Sequence, residues 1–395
     1  MLDRPLAETP VSILYVKHSI AWLPRLLYAA LAVGALMAGG LPVAQPEAVG
    51  LSSATLQSAV EVYQQAVEAD DHRGVVLLVA RRGKIALHEA LGFRDFDSKL
   101  PMEKDTLFRM ASNTKPVIAT AILMLAEDGK LSLDDNVRKH LPSWDNYRAG
   151  WIQVRHLLSH TSGLRIAPIF LDPLLPNASL QKEVERFGEI GAEVPPGTSF
   201  SYNNPGFNTL GALIEIRGGQ PLEAFLKERI YQPLGMRDSL NHESRADMDR
   251  MSTVYSRDEE GKWKVEWKPD DESDYPFVRA SGGMISTAAD YIRFCEMWRN
   301  GGELEGARLL KSESVAAGWT AFPHSKHGDD GARHYGFGWF GYDDGSWGHG
   351  GSDGTFALVS PKEELIVLIF GQSRGARITA LRERFVKLVR AAILD

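Results

Sequence analysis

The chain has 395 residues, enough for two domains or one large composite one, and its 44% hydrophobic and 24% charged residues rule out wholesale disorder. A net charge of −7 argues against a nucleic-acid footprint, which needs a basic face. The single cysteine, Cys295, excludes an intramolecular disulfide and a cysteine-cluster metal site, so the chemistry falls to Ser, His, Asp, Glu, Lys or Tyr.

The first 44 residues read as a targeting segment. The uncharged run Leu26–Ala38 follows Lys17 and Arg25 and precedes Gly39, Gly40, Pro42 and Ala44. A basic flank, a short apolar stretch and then small residues are the signature of a secretory signal peptide. The run is shorter than the ~20 residues that span a bilayer. The expectation is an exported chain, periplasmic or secreted, tethered to the membrane only if the segment is retained, with no stable span in the mature chain.

Residues 53–69 place apolar side chains at helical spacing, and 75–93 are two apolar runs around Arg81-Arg82-Gly83-Lys84, a hairpin pattern. A helix apolar nearly all round is expected over 113–128, closing at Gly129. The stretch 131–275 is rich in Pro, Gly and short helical patterns at 151–159, 179–187, 205–217 and 221–231. Helix returns at 287–300, strands are expected at 335–342, 354–360 and 364–370, and a last helix at 377–394. Strands thus cluster at both ends of the chain. The fold class is α/β in the α+β sense: a mixed, mainly antiparallel sheet from N- and C-terminal strands, flanked by helices, with an inserted, mostly helical domain. The expected division is 45–105 and 278–395 for the α/β domain and 106–277 for the helical one.

Two serines compete as nucleophile. Gly350-Gly351-Ser352-Asp353-Gly354 matches the G-x-S-x-G elbow, but a strand pattern follows where that motif requires a helix. No histidine follows His349 to act as base, so Ser352 is a decoy. Ser112-Asn113-Thr114-Lys115 is an S-x-x-K at the opening of the apolar helix. Spacing i to i+3 puts Lys115 beside the Ser112 hydroxyl, and desolvation would let the amine accept a proton. An N-cap beside an ordinary lysine is the plainer reading. Tyr202-Asn203-Asn204 follows a Pro/Gly-rich loop; a tyrosine near a lysine can be held as phenolate or share a proton, and Asn204 could fix Lys115, although Asn is also a turn former. His349-Gly350-Gly351 precedes a strand whose backbone N–H groups could form an oxyanion hole, or is simply a Gly-rich turn.

Together these motifs resemble the serine β-lactamase and penicillin-binding-protein superfamily in its class C-like branch, which includes family VIII carboxylesterases. Residues 156–164 (HLLSHTSGL) and 281–287 (SGGMIST) are similar to further segments of that family, and the resemblance spans about residues 47–395. It implies that Ser112 is acylated, that Lys115 and Tyr202 share the general-base role, and that Asn204 positions substrate. It also implies that the backbone N–H groups of Ser112 and Ser352 form the oxyanion hole, with no cofactor and no metal. Class C β-lactamases carry lysine where this chain has His349, a side chain mostly neutral at pH 7 unless perturbed. The resemblance therefore implies a serine hydrolase acting through an acyl-enzyme on small esters, with weak β-lactam turnover beside it. The alternatives are a β-lactamase or D-amino-acid peptidase, and a non-catalytic penicillin-binding or cell-wall-sensing module. The substrate is thus a small ester, β-lactam or D-peptide; oligomeric state is left open.

Three other features read as structural. His156 and His160 sit at i, i+4 on an expected helix without the glutamate of H-E-x-x-H. Cys295 falls on the inner face of its helix as a small hydrophobe. Residues 266–277 read as a loop, either plain surface or a cover over the cleft.

Overall fold

Ser52 caps the first helix, α1 (Ser53–Glu68), its hydroxyl accepting the Thr55 N–H at 3.2 Å. Leu56, Ala59, Val60 and Tyr63 recur on its buried stripe. The expected hairpin follows as β1 (Gly74–Arg81) and β2 (Lys84–Asp95), and then come the short β3 (Leu100–Pro101) and β4 (Phe108–Arg109). Helix α2 (Thr114–Glu127) is buried from Thr114 through Leu125, which explains its lack of a polar face. The middle of the chain carries α3 (Val154–Leu158), α4 (Leu180–Ile190), α5 (Asn204–Gly218) and α6 (Leu222–Leu226). A hairpin of β5 (Val254–Arg257) and β6 (Trp263–Trp267) comes next. It has no counterpart in the sequence reading, and Glu266 and Trp267, expected in a loop, end its second strand. After β7 (Ile285–Ser286) and α7 (Ala288–Arg299) a small hairpin, β8 (Glu303–Leu304) and β9 (Ala307–Arg308), leads to α8 (Ser312–Gly318). The chain finishes with β10 (Arg333–Tyr335), β11 (Phe340–Tyr342), β12 (Trp347–Gly350), β13 (Thr355–Ser360), β14 (Leu365–Gly371) and α9 (Ala376–Ala391).

This computed structural model describes residues 40–242, 248–326 and 333–395, and Gly40–Asp395 make one compact unit. The apolar run at 26–38 lies outside the described residues. Among those described, no helix is long and apolar enough to cross a membrane.

The eight-stranded sheet runs β10-β11-β12-β13-β14-β1-β2-β3, antiparallel throughout, so the two ends of the chain meet at the β14–β1 seam. There Val76 faces Phe370 and Leu78 faces Leu368. Alternation sorts side chains between two cores. Val75, Leu77, Val79, Leu358 and Val367 pack with Tyr63, Phe385 and Val389 of α1 and α9. Val76, Leu78, Ala357, Val359 and Leu368 pack with Ile118, Ile122 and Phe294 of α2 and α7. Cover on both faces is why β1 reads as an unbroken apolar run. The strand expected over 335–342 is in fact two: Gly336 N–H bonds Trp339 O at 2.9 Å, and Gly338, at φ +77°, turns the chain between β10 and β11.

Helix α7 is fastened to α2 by Trp298 Nε1–H donating to Thr120 Oγ1 at 3.0 Å, and to the turn just before α2 by Tyr291 O–H donating to Asn113 O at 2.8 Å. Cys295 is fully buried on α7 and burial drives its thiol pKa well up, so it stays a neutral hydrophobe.

Candidate active site

Ser112 sits on a 3₁₀ turn, Ala111–Asn113, that leads straight into α2. Ala111 has φ +45°, a left-handed conformation that costs an alanine about 1–2 kcal/mol. Neighbours hold the turn there. Asn113 Nδ2 donates to Thr355 Oγ1 at 2.9 Å, the Thr355 hydroxyl donates to Met110 O at 3.1 Å, and Tyr291 grips Asn113 O from α7. Strain kept by such over-determination is a feature of functional turns.

One helical turn on, Lys115 is fully buried, with Nζ 3.0 Å from Ser112 Oγ, 2.9 Å from Asn204 Oδ1 and 2.8 Å from Ser281 O. Desolvation, helped by the positive charge of Arg279, holds its pKa well below the ordinary lysine value. The two carbonyl oxygens can only accept. A neutral amine therefore spends both N–H bonds on them, and its lone pair is left facing the Ser112 hydroxyl. That arrangement leaves Lys115 Nζ able to take the serine proton.

Tyr202 arrives from the other side of the cleft. Asn203 caps α5 by accepting the Gly206 N–H at 2.8 Å and ties its amide to Leu164 O and Ile166 O. Asn204 opens the helix and aims at Lys115. The Tyr202 hydroxyl is hydrogen-bonded to the Ser112 side chain, and its ring centre lies 4.8 Å from Lys115 Nζ. As a residue Tyr202 is 38% exposed, but that exposure belongs to the ring, because the hydroxyl end is enclosed and burial raises its pKa above the usual phenol value. The phenolate admitted by the sequence reading does not fit this environment. Tyr202 rests as a protonated phenol.

His160 fixes that phenol. Its ring centre is 4.3 Å from Tyr202 and 4.7 Å from Tyr335, and Nδ1 accepts the Asn203 N–H at 3.0 Å. The expected i, i+4 pairing with His156 is absent because α3 ends at Leu158 and His160 has φ +56°. His156 instead closes the start of α3, Nδ1 accepting the Gln153 N–H at 3.1 Å.

His349 lies on β12, 1% exposed, beside Tyr202 and Phe340. Burial first, and then the nearby Lys115 charge, push its pKa down to about 3. Gly350 O can only accept, so Nδ1–H donates to it at 2.9 Å and Nε2 accepts the Tyr335 hydroxyl at 3.0 Å. The imidazole is neutral in one tautomer, far more firmly than its ordinary pKa implied.

Gly350 leads to Gly351, where a Cβ would lie 2.4 Å from Met110 O and 2.3 Å from Thr355 Oγ1. Only glycine lets the strand end touch the Ser112 turn. Ser352 follows on the exposed β12–β13 turn, its hydroxyl donating to Asp353 Oδ1 at 3.3 Å. A strand, not a helix, leaves that turn, as expected for a decoy. Among the described residues, the main-chain N–H groups of Ser112 and Ser352 pair with no main-chain carbonyl. The ensemble is an alcohol against a neutral amine, a phenol on the same oxygen and two spare N–H donors. Such a set can attack a carbonyl and hold the resulting oxyanion.

All the motif residues named from sequence thus come to one cleft, but three contributors were not seen in advance. Ser281 gives Lys115 its third contact through the backbone. The segment behind it is clamped to the Ser112 turn by Met284 N–H donating to Thr114 Oγ1 at 3.0 Å and Met110 N–H donating to Met284 O at 2.9 Å. The glycines of SGGMIST were its only trace. His160, read in advance only as structural and as part of HLLSHTSGL, and Tyr335, which carries no local signal, were the others.

Comparison with known proteins gives a consistent picture. The model of the Beta-lactamase family matches residues 59–391. An uncharacterized protein of Mycobacterium tuberculosis is 32% identical over 61% of this chain and 66% of its own length. Esterase EstB of Burkholderia gladioli is 36% identical over 49% and 53%, and penicillin-binding protein 4 of Amycolatopsis lactamdurans 30% over 58% and 61%. The chain therefore spans between about half and two thirds of the length of these relatives. Among solved structures, EstCE1, described as a hydrolase with promiscuous acyltransferase activity, superposes with TM-score 0.74 at 24% identity, covering 86% of this chain and 99% of that one. The octameric penicillin-binding protein homologue of Pyrococcus abyssi gives 0.73 at 25% identity, covering 85% and 77%.

Proposed function

The chain belongs to the Beta-lactamase family, and from that premise we propose that it is a serine hydrolase that cleaves small carboxylic esters through an acyl-enzyme on Ser112. The observation that carries this reading is the contact of Lys115 Nζ with Ser112 Oγ at 3.0 Å while two carbonyls occupy its remaining valences. Ser112 Oγ attacks the ester carbonyl and its proton passes to Lys115. The tetrahedral oxyanion lies between the N–H groups of Ser112 and Ser352. Tyr202, protonated at rest and bonded to the same serine oxygen, gives its proton to the departing alcohol, and the Lys115 ammonium replaces it. Water then repeats the sequence on the acyl group, and Ser112 recovers its proton.

An ester is favoured over a β-lactam or D-peptide because the strand position that would offer a lysine charge to a substrate carboxylate holds a neutral imidazole. The esterase among the relatives agrees with this preference. The test is a panel of p-nitrophenyl butyrate, nitrocefin and a D-alanyl-D-alanine peptide on the purified chain. The expected result is a kcat/KM for the ester at least about tenfold above the other two, the scale of one missing charged contact. Faster nitrocefin or peptide turnover would move the assignment to the β-lactamase or peptidase side, and stoichiometric labelling without turnover would make the protein a binding module.

A further inference from the structure

Behind the β12–β13 turn lies a second cavity of about 160 Å³, enclosed by α1, the turn and the N-terminal end of α9. Its walls carry hydrogen-bond donors with nothing to donate to. Tyr63 is fully buried and Ser373 is 1% exposed, and among the described residues neither hydroxyl has a partner. Buried polar atoms are satisfied in the great majority of cases, so two orphans in one cavity call for an occupant. The 16-residue α9 points its N-terminus at the same space from Gly375, a residue with no side chain to cap its first N–H groups.

The charge at the cavity is also unspent. Arg374 is neutralised by Asp353, with Nε 3.0 Å from Oδ1. Arg382 is not: its guanidinium lies 4.4 Å from the Phe356 ring centre and 3.6 Å from where a Cβ on Gly350 would sit, without a carboxylate partner among the described residues. Guanidinium, two hydroxyls and a helix N-terminus all donate, and together they match a compact oxyanion.

We propose that this cavity is a binding site for a small oxyanion, a carboxylate or phosphate group held by Arg382, Tyr63, Ser373 and the first N–H groups of α9, directly behind Ser352. The anion is either free in solution or a carboxylate carried by the substrate.

The test is calorimetric titration of the intact chain with inorganic phosphate and with acetate, which needs no turnover and so is independent of the ester reading. Saturable binding at one site per chain is expected. Arg382→Gln weakens it by roughly tenfold or more and Tyr63→Phe by several-fold, the scales of losing a charged and a neutral hydrogen bond. Tyr63→Phe keeps the ring in the core, so it remains informative should Arg382→Gln fold poorly. Lys387→Gln, a cation outside this cavity, leaves the affinity unchanged. A p-nitrophenyl glutarate monoester tested against p-nitrophenyl butyrate separates the sources. A preference for the glutarate ester that Arg382→Gln removes assigns the site to the substrate, whereas equal rates with phosphate binding intact assign it to a free ion; both keep the site. Absence of saturable binding, or binding undiminished in Arg382→Gln and Tyr63→Phe alike, overturns it.

Discussion

Ser112→Ala is expected to lower kcat on p-nitrophenyl butyrate by about 10⁴-fold or more, the loss typical of removing a nucleophile whose partners cannot substitute for it. Ser352→Ala is expected to leave kcat within about twofold, because the role assigned to Ser352 belongs to its main-chain N–H, which alanine keeps. The pair separates the two serines that sequence offered. Ser112 has an amine 3.0 Å away and a phenol bonded to it, whereas the Ser352 hydroxyl meets only a carboxylate already committed to Arg374. Steady-state rates on the two purified variants decide it, and retained activity in Ser112→Ala contradicts the account.

Lys115→Met carries the second large effect. It removes the proton acceptor and should cost about 10²–10⁴-fold in kcat, the usual range for general-base catalysis. The pH dependence gives a sharper signature. In the proposed mechanism activity requires neutral Lys115, so it should fall as pH drops through the folded-state pKa of that lysine, which lies well below 10.5. His349, at about 3, cannot supply a limb between pH 5 and 9. Stability follows the same group. Between the depressed folded pKa and the ordinary unfolded one, the unfolded chain binds more protons, so stability rises with pH across that window. In Lys115→Met both dependences should disappear, which pH–rate profiles and thermal melts at several pH values would measure. An acidic limb surviving in Lys115→Met would assign the titration to another group.

How much of this was legible in the sequence depends on the range of each interaction. The S-x-x-K pair is local, since helix geometry alone places residues three apart on one face, but alone it read more plainly as an N-cap beside a lysine; the Y-x-N and H-x-G motifs beside it made it readable as chemistry. The sheet was readable because strands buried on both faces leave apolar runs such as VVLLVA and ELIVLIF. The break within 335–342 was missed because its glycines look alike in a strand and in a turn. The hairpin ending at Trp267 was missed because alternating polar residues in a short two-stranded ribbon resemble a loop. His160 escaped for a different reason: its role depends on leaving the helix at φ +56°, and i, i+4 spacing suggests the opposite. The protonation of Tyr202, and how firmly His349 is held neutral, were beyond reach, because both pKa shifts come from burial by residues distant in the chain. Spacing reports neighbours along a helix; it does not report desolvation.

The most direct measurement is to stop the reaction of the native chain with a slowly hydrolysed p-nitrophenyl ester by acid quench and map the acyl adduct by peptide mass spectrometry. One acyl group on the peptide bearing Ser112, absent after Ser112→Ala, is the predicted result. An adduct on Ser352, or turnover with no covalent intermediate at all, would contradict it.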